Sequence, residues 1–173
     1  VKLVTTGAHF SKKHGNTYQE IVNDKIKIDK KIKIDFSNKF KKNTIDNLFS
    51  ETFSKFFLFL KKSKFNYMIV LGDRFEVFSV SLCCHFLNIP IIHLYGGETT
   101  SGSLDNVFRD LISKLSKFHF VSNVKYKKKL IKDGFSKKKI FVVGSLAIDN
   151  IKECLSQQNE IDTKLVKFLK KKN

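Results

Sequence analysis

The sequence predicts an α/β fold built around a parallel sheet. From residue 67 onward, short and fully apolar segments alternate with amphipathic segments of helical length. That alternation is typical of βαβ units. Parallel strands are buried on both faces, so they read as continuous apolar runs, and these segments do. A length of 173 residues suits one domain with its own core.

The predicted elements follow in order along the chain. Strands are expected at Lys2 to Thr6, Tyr67 to Leu71, Pro90 to Tyr95, Phe118 to Ser122 and Ile140 to Val143. Helices are expected at Thr17 to Asn23, Thr44 to Lys62, Phe75 to Leu87, Asp105 to Ser116, a Lys-rich segment ending near Gly134, and Leu146 to Leu155. Thr44 is a candidate N-cap.

Two segments fit this rhythm less well. Isoleucines alternate with Lys and Asp between Ile26 and Ile34, the period of a half-exposed strand, although Asp29 to Lys31 is expected to break it. Residues 157–173 are polar and Lys-rich, which indicates a linker or a fraying helix. We therefore expect a domain over residues 1–155 and a Lys-rich linker, or the start of an interdomain segment, over 156–173.

The composition is strongly basic, with a formal net charge of +17. Such a charge leaves a basic nucleic-acid-binding domain open as an alternative. Only two of the basic residues are Arg, however, and the Lys residues are spread along the whole chain. Nucleic-acid readers rely on Arg forks for phosphate and guanine, so a solvated Lys-rich surface is the favoured interpretation.

The remaining totals bear on location. No apolar run approaches the roughly 20 residues of a membrane helix, and Val1 to Val4 lacks the apolar stretch of a signal peptide. The chain does not begin with Met, so its start is interpreted as cut. Three Cys residues form neither a C-x-x-C pair nor a disulfide framework, which favours a reducing cytoplasm.

Charged residues follow the apolar segment that ends at Leu71. Asp73 and Arg74 come directly after it, and the carboxyl ends of parallel strands are where ligands bind in open α/β sheets. Asp73 is therefore either a functional carboxylate or the N-cap of the next helix.

Gly96, Gly97 and Glu98 follow the next strand. Paired glycines permit positive φ and a close backbone approach by a phosphate or sugar. Their spacing matches neither a dinucleotide fingerprint nor a P-loop. Glu98 is a candidate base or a polar loop residue.

Further candidates lie in the next helix and among the histidines. Asp105 and Arg109 are four residues apart, so they form either an intrahelical ion pair or part of the same site. His9 and His93 stand at or near strand ends, whereas His85 and His119 are interpreted as structural. No zinc-ligand spacing is present, and we expect neither a metal nor a cofactor.

Several motifs occur together in one order. They are T-G-A-H-x5-G-N-T from Thr6, L-G-D-R-F-E from Leu71, H-L-Y-G-G-E from His93, D-N-V-F-R from Asp105, I-S-K-L-S-K-F-H-F from Ile112 and V-G-S-L-A-I-D from Val143. As far as Asn150, the chain resembles the UDP-N-acetylglucosamine 2-epimerases, most of all the hydrolysing branch that serves sialic and legionaminic acid synthesis.

The resemblance implies the Rossmann-like N-terminal half of a GT-B fold, incomplete at both ends. It implies a nucleotide-sugar substrate, no membrane, and a homo-oligomer at full length. The reaction removes the C2 proton as UDP leaves C1, and water then adds to the glycal-like intermediate. The implied catalytic residues are Asp73, Asp105 and Glu98, since carboxylates suit acid and base work. The implied substrate-binding residues are Arg74, His9, Gly96, Gly97, Arg109, His93 and Ser145.

The chain departs from the family pattern in three ways. Tyr95 stands where many members carry Glu, and Glu98 is the nearest acid to replace it. Asp110 stands where a His is common. The family's first strand with its Gly-Thr/Ser-Arg loop, and its second domain, are expected to lie outside Val1 to Asn173. We therefore expect the isolated chain to be inactive, with a non-catalytic or degenerate nucleotide-sugar-binding domain as the alternative.

Overall fold

The computed structural model describes residues 1–11, 15–34, 45–100 and 105–156. The strands are β1 (Val4–Thr6), β2 (Lys30–Ile32), β3 (Met68–Leu71), β4 (Ile91–Leu94), β5 (Phe118–Val121) and β6 (Ile140–Val142). The helices are α1 (Tyr18–Asn23), α2 (Ile45–Lys61), α3 (Phe75–Phe86), α4 (Asp105–Leu115), α5 (Val124–Lys132) and α6 (Leu146–Ser156). None of the helices in these ranges combines the length and the apolar character needed to cross a membrane.

The strands form two parallel sheets. One has four strands in the order β3-β4-β5-β6, and the other pairs β1 with β2. In the larger sheet, Val70 lies opposite His93, and His93 lies opposite His119. The prediction of a parallel sheet with helical crossovers is confirmed for β3 to β6, and the carboxyl ends of these four strands share one edge.

The β2 strand lies where the sequence analysis placed a break. Lys30 and Lys31 pair with Val4 and Thr5 of β1, and Asp29 accepts a hydrogen bond from the backbone N–H of Leu3 at 2.9 Å. The half-exposed strand predicted over Ile26 to Ile34 is thus present only as Lys30–Ile32: the expected break is wrong at Lys30 and Lys31, whereas Asp29 does lie outside the strand. Pairing with β1 sets the conformation here, because hydrogen bonds along a strand do not depend on which side chains it carries.

One face of the larger sheet carries the core. The buried residues Val70, Ile91, Val121 and Ile140 alternate along the strands with side chains on the opposite face. Helices α2, α3 and α4 contribute to a single apolar cluster with β3 and β4, and α5 covers a smaller one with β5 and β6. The larger cluster includes Ile32, Ile34, Leu48, Phe56, Leu60, Val80, Cys83, Cys84 and Ile112.

The opposite face of the same sheet is open in the described part of the chain. Ile69 and Leu71 on β3 are 53% and 51% exposed, although continuous apolar strands predict burial on both faces. A cavity of about 340 Å³ opens on this side. Its apolar lining includes Ile69, Leu94, Tyr95 and Phe120. Burial on both faces is thus a wrong prediction for these residues.

The predicted helices are present within one or two residues of the expected ends. The helix expected over Thr44 to Lys62 is α2, with Leu48, Phe56 and Leu60 buried along one stripe as its period predicts. The proposed N-cap Thr44 lies outside the described residues, and so does the expected linker at 157–173. The domain boundary at residue 155 stays a prediction.

Candidate functional site

The turn after β3 brings the first candidates to the edge of the sheet. Gly72 has φ of +83°, a conformation that glycine adopts without strain, and Asp73 and Arg74 follow it into α3. The N-cap position of α3 is Arg74, in an extended conformation and without a side-chain cap. The interpretation of Asp73 as the N-cap of this helix is therefore wrong.

Asp73 instead accepts a hydrogen bond from Arg109 on α4. The Nη2 group of Arg109 donates to Oδ2 of Asp73, and the two side chains are 8% and 19% exposed. A hydrogen bond between two opposite charges is among the stronger kinds, and partial burial limits its screening by water. The ion pair of Arg109 thus joins α4 to the turn after β3. The spacing of Asp105 and Arg109 had suggested an ion pair within α4 instead.

Arg109 retains two unused donors. Its Nε and Nη1 atoms are buried and have no hydrogen-bond partner among the described residues. Buried donors of this kind are rare, since each one left unpaired costs free energy.

Arg74 occupies the exposed side of the same turn. Its side chain donates to both carboxylate oxygens of Glu76, from Nε at 3.1 Å and from Nη2 at 2.9 Å. This hydrogen bond raises the pKa of Arg74 above its ordinary value, and the charges of Glu76, Asp105 and Asp73 raise it further against the opposing effect of burial. The structure therefore brings Asp73, Arg74 and Asp105 into one electrostatic neighbourhood.

Glu76 joins this neighbourhood to the smaller sheet. It is only 4% exposed although it is charged, and it lies beside Gly7 at the end of β1. A Cβ atom on Gly7, which has φ of +66°, would stand 3.3 Å from Oε1 of Glu76. The T-G-A-H and L-G-D-R-F-E motifs therefore meet through this contact.

His9 lies two residues after Gly7 and is exposed. Its Nδ1 atom lies 2.8 Å from the hydroxyl of Thr17, so the two ends of the T-G-A-H-x5-G-N-T motif contact each other.

Glu98 lies farther along the same edge, after β4. Its carboxylate accepts a hydrogen bond from the hydroxyl of Ser122, which follows β5. Tyr95 has φ of +66°, and its hydroxyl accepts a hydrogen bond of 2.6 Å from the backbone N–H of Leu146. Tyr95 thus holds the start of α6, beside Ser145.

The paired glycines serve close packing within the chain. A Cβ atom on Gly96 would lie 3.0 Å from both His93 Nδ1 and Ser113 Oγ. A Cβ atom on Gly97, which has φ of +76°, would lie 2.8 Å from Leu130 Cγ. The space beside each glycine is occupied by the protein's own side chains, whereas the sequence analysis expected a phosphate or sugar there.

His93 is completely buried, and both of its ring nitrogens are engaged. Nε2 donates to the carbonyl oxygen of Gly72 at 2.8 Å, because a carbonyl can only accept. Nδ1 therefore accepts from the hydroxyl of Ser113 at 3.0 Å. Burial lowers the pKa of His93 to about 4, so the ring is neutral at neutral pH. In this structure the ring faces the protein and not the open edge.

Sequence reasoning missed three residues that support the site: Glu76, Ser113 and Ser122. Glu76 had a signal, since it ends the L-G-D-R-F-E motif. Ser113 had a weaker one, because it lies one helical turn after Arg109. Ser122 had only its place at the end of the predicted strand, and its contact with Glu98 depends on how two strands align. Asp110, where a His is common in the family, pairs with Lys129 at 3.5 Å.

The described residues include no group of three or more His, Cys, Asp or Glu side chains arranged to hold a metal ion. The chemistry that the edge offers comes from carboxylates and guanidinium groups. Two carboxylates near two cations can exchange protons with a bound molecule and orient an anionic one.

Comparison with known proteins identifies relatives of the whole chain. A family model described as UDP-N-acetylglucosamine 2-epimerase matches residues 1–173. A Campylobacter jejuni protein named GDP/UDP-N,N'-diacetylbacillosamine 2-epimerase (hydrolyzing) is 41% identical over 152 residues, which are 88% of this chain and 39% of that protein. A Legionella pneumophila protein named UDP-N,N'-diacetylbacillosamine 2-epimerase (hydrolyzing) is 32% identical over 161 residues, covering 93% of this chain and 42% of that protein.

A solved structure matches the fold. The UDP-GlcNAc 2-epimerase of Neisseria meningitidis, bound to UDP-GlcNAc, superposes with a TM-score of 0.77 at 24% identity, over 90% of this chain and 42% of that one. This confirms the predicted fold class, an α/β fold of the GT-B type with parallel sheets. The chain spans about two fifths of the length of these relatives. It belongs to the UDP-N-acetylglucosamine 2-epimerase family.

Proposed function

We propose that the full-length protein containing this chain is a hydrolysing nucleotide-sugar 2-epimerase. Its substrate is a UDP-linked 2-acetamido sugar, and its products are UDP and the free sugar inverted at C2. The observation that carries the proposal is the grouping of Asp73, Arg109, Arg74 and Asp105 beside the carboxyl end of β3. Ligands of open α/β sheets bind at such an edge.

The chemistry divides into two steps that consume one water molecule. A base removes the proton on C2, the C1–O bond to UDP breaks, and its electron pair leaves with UDP, so that a C1–C2 double bond forms. Water then adds across that bond, with the hydroxyl on C1 and a proton on the opposite face of C2. Both steps need groups that accept and donate protons beside the same ring, which carboxylates provide.

We assign Asp73 and Asp105 to these proton transfers. Asp73 is held in one orientation by Arg109, which suits a group that must meet a single carbon atom. Asp105 begins α4, and it lies close enough to Arg74 for its negative charge to raise the pKa of Arg74. Glu98 is the third proposed acid, and its hydrogen bond from Ser122 gives it a fixed place along the same edge.

We assign the cations and the surrounding groups to binding and orientation. Arg74 is half exposed and keeps its charge, because Glu76 and the nearby carboxylates raise its pKa. Such a guanidinium suits contact with a phosphate or a sugar oxygen. The unused donors of Arg109 support the same role for it, and exposure supports it for His9. Gly96 and Gly97 follow β4 and Ser145 directly precedes α6, and their backbone groups are the proposed contacts.

The sugar we propose first is a 2,4-diacetamido hexose. Two relatives that cover most of this chain carry diacetylbacillosamine in their names, at 41% and 32% identity. UDP-N-acetylglucosamine is the second candidate, since the family and the Neisseria structure are named for it. Either product is an amino sugar of the kind used for sialic or legionaminic acid synthesis.

We further propose a reducing cytoplasmic location and a homo-oligomer at full length. The first rests on free thiols at Cys83, Cys84 and Cys154, since disulfides form in oxidising compartments. The second rests on the exposed apolar side chains of β3 and α6, a surface that isolated subunits rarely leave open.

The proposal is tested with purified full-length protein and two substrates, UDP-N,N'-diacetylbacillosamine and UDP-N-acetylglucosamine. We expect stoichiometric release of UDP and free sugar from at least one of them. Tight binding of either nucleotide sugar without UDP release would instead identify a binding protein, and the enzymatic proposal would be wrong.

A further inference from the structure

His93 lies at the centre of a closed set of contacts behind the proposed catalytic edge. Its Nε2 binds the carbonyl of Gly72, the residue directly before Asp73. Its Nδ1 binds Ser113, one helical turn after Arg109 on α4. The ring therefore contacts both segments that carry the Asp73–Arg109 ion pair.

The circuit closes through the ion pair itself. Asp73 binds Arg109, α4 connects Arg109 to Ser113, Ser113 binds His93, and His93 binds Gly72. Each member is fixed by its neighbours, so a shift at any one contact alters the separation of the other pairs. Such networks of buried polar groups stabilise one arrangement more than their separate bonds suggest.

Packing leaves His93 no alternative orientation. The ring has no exposed surface, and the backbone of Gly96 approaches so closely that a Cβ there would contact both Nδ1 and the Ser113 hydroxyl at 3.0 Å. Rotating the ring would leave Gly72 and Ser113 without their partner in a buried place, which is costly.

A neighbouring histidine shows what a purely structural role looks like. His119 is the residue of β5 that lies opposite His93, and it is 1% exposed. Its ring packs edge-on against Phe135 at 4.7 Å, and its Nδ1 has no hydrogen-bond partner among the described residues. In the described part of the chain it makes no hydrogen bond with the turn of Asp73 or with α4, so it serves as a matched control.

We propose that His93 is a positioning residue, which holds the turn of Asp73 and the helix of Arg109 in the separation that their ion pair requires. The inference rests on the proposed function for its catalytic consequence, although the geometry it describes does not depend on any reaction. It assigns His93 to the support of Asp73 and not to contact with substrate.

The first experiment measures kcat and KM for UDP release by the full-length protein and three variants. His93→Phe removes both hydrogen bonds, and we expect kcat to fall about 100-fold with KM unchanged, as misplacement of a catalytic group does. His93→Gln keeps an amide that can donate and accept, so we expect it to recover about a tenth of wild-type kcat or more. The control His119→Gln is expected to remain within about twofold of wild type.

A second pair of variants tests the α4 contact. Ser113→Ala removes the hydroxyl that binds Nδ1, and we expect kcat to fall about tenfold. Ser116→Ala removes a hydroxyl directly after the same helix, which donates to the Ile112 carbonyl at 2.7 Å and to no other group in the described part of the chain, and it is expected to leave kcat unchanged. Circular dichroism of each variant establishes that it is folded before its rate is compared.

The second experiment needs no turnover. In ¹⁵N-arginine-labelled full-length protein, the guanidinium resonances of Arg109, assigned with Arg109→Lys, report its contact with Asp73. We expect His93→Phe to shift these resonances, His93→Gln to restore them in large part, and His119→Gln to leave them in place.

The outcomes separate the two proposals. If wild type releases no UDP but the resonances shift as expected, the proposed function is wrong and the positioning role stands. If folded His93→Phe leaves the Arg109 resonances unchanged, or if His93→Phe and His93→Gln have equal kcat, the positioning role is wrong whatever the enzyme does.

Discussion

Arg109 on α4 donates a hydrogen bond to the carboxylate of Asp73, which directly follows β3. The two residues are 36 positions apart, and each comes from a different motif of the sequence. The contact fixes the distance between the turn after β3 and the first turns of α4. The proposed catalytic edge is therefore formed by tertiary contact and not by any single motif.

Replacing the proposed acids should abolish turnover while preserving the fold. Asp73→Asn and Asp105→Asn keep the shape of each side chain and remove its charge, so each is expected to lower kcat by about 10² to 10⁴-fold. UDP release by the full-length protein measures this. Asp110→Asn is the matched control, because Asp110 lies on the same helix as Asp105 and its ion pair among the described residues is with Lys129 at the surface. Near-normal rates in either acid variant would remove that residue from the mechanism.

Removing the charge of Arg109 alone should destabilise the protein more than removing the charges of Arg109 and Asp73 together. Arg109→Met leaves the carboxylate of Asp73 without its cation, and we expect a loss of about 3 kcal/mol in the free energy of unfolding. Combining it with Asp73→Asn removes the uncompensated charge, so the double variant is expected to regain part of that loss. Denaturant unfolding is measured for wild type, for Arg109→Met and Asp73→Asn singly, and for the double variant. Strictly additive effects would show that the pair contributes no coupling energy.

Acid should destabilise the protein through His93 and His119, which are buried. The pKa values of His93 and His119 fall from 6.5 to about 4 on folding, because burial disfavours the charged ring. Between those pH values the unfolded chain binds protons that the folded chain does not. The free energy of unfolding is therefore expected to be fully retained above pH 6.5 and to fall as the pH approaches 4, by about 3 kcal/mol at most for each histidine.

The double variant His93→Gln, His119→Gln isolates this contribution from that of the carboxylates. Its free energy of unfolding, measured by urea titration at several pH values, should depend less steeply on pH than that of wild type between pH 6.5 and 4. Equal slopes in the two proteins would show that the histidines do not titrate on unfolding.

Gly97→Ala should be far more damaging than Gly134→Ala. Both glycines have positive φ, at +76° and +93°, so both substitutions introduce backbone strain of about 1 kcal/mol. Only at Gly97 would the new methyl group also stand 2.8 Å from Leu130, whereas nothing lies within 4 Å of Gly134. We expect a difference of about 2 kcal/mol between the variants in thermal or urea unfolding. Equal losses would mean that the loop after β4 can move away from α5.

Much of the fold follows from sequence pattern. The strands β3 to β6 and the helices between them have apolar runs and helical periods that dictate their type, and their order dictates a parallel sheet. The alternation between Ile26 and Ile34 predicted a strand, but not that it would be confined to Lys30–Ile32, because pairing with β1 determines its extent. The exposure of one face of β3 could not be predicted, because the apolar content of a strand does not tell which neighbour covers it.

The sequence proposes residues for the candidate site, but it does not predict the contacts that the structure gives them. Strand ends mark Asp73 and Glu98 as candidates because the carboxyl edge of a sheet gathers such residues. Spacing suggested Asp105 as the partner of Arg109, and the fold supplied Asp73 instead. The contacts of His93 likewise could not be predicted from its position in the sequence. Its place at a strand end suggested contact with substrate, whereas burial and two hydrogen bonds indicate a supporting position.

The most direct test of the account follows the proton on C2. Full-length protein is incubated with its UDP-sugar in D₂O, and the free sugar is analysed by ¹H NMR. We expect UDP to be released and the free sugar to be inverted at C2 and to carry deuterium there, and we expect Asp73→Asn to abolish both the inversion and the deuterium incorporation. A sugar released with its original configuration and its original C2 proton would contradict it.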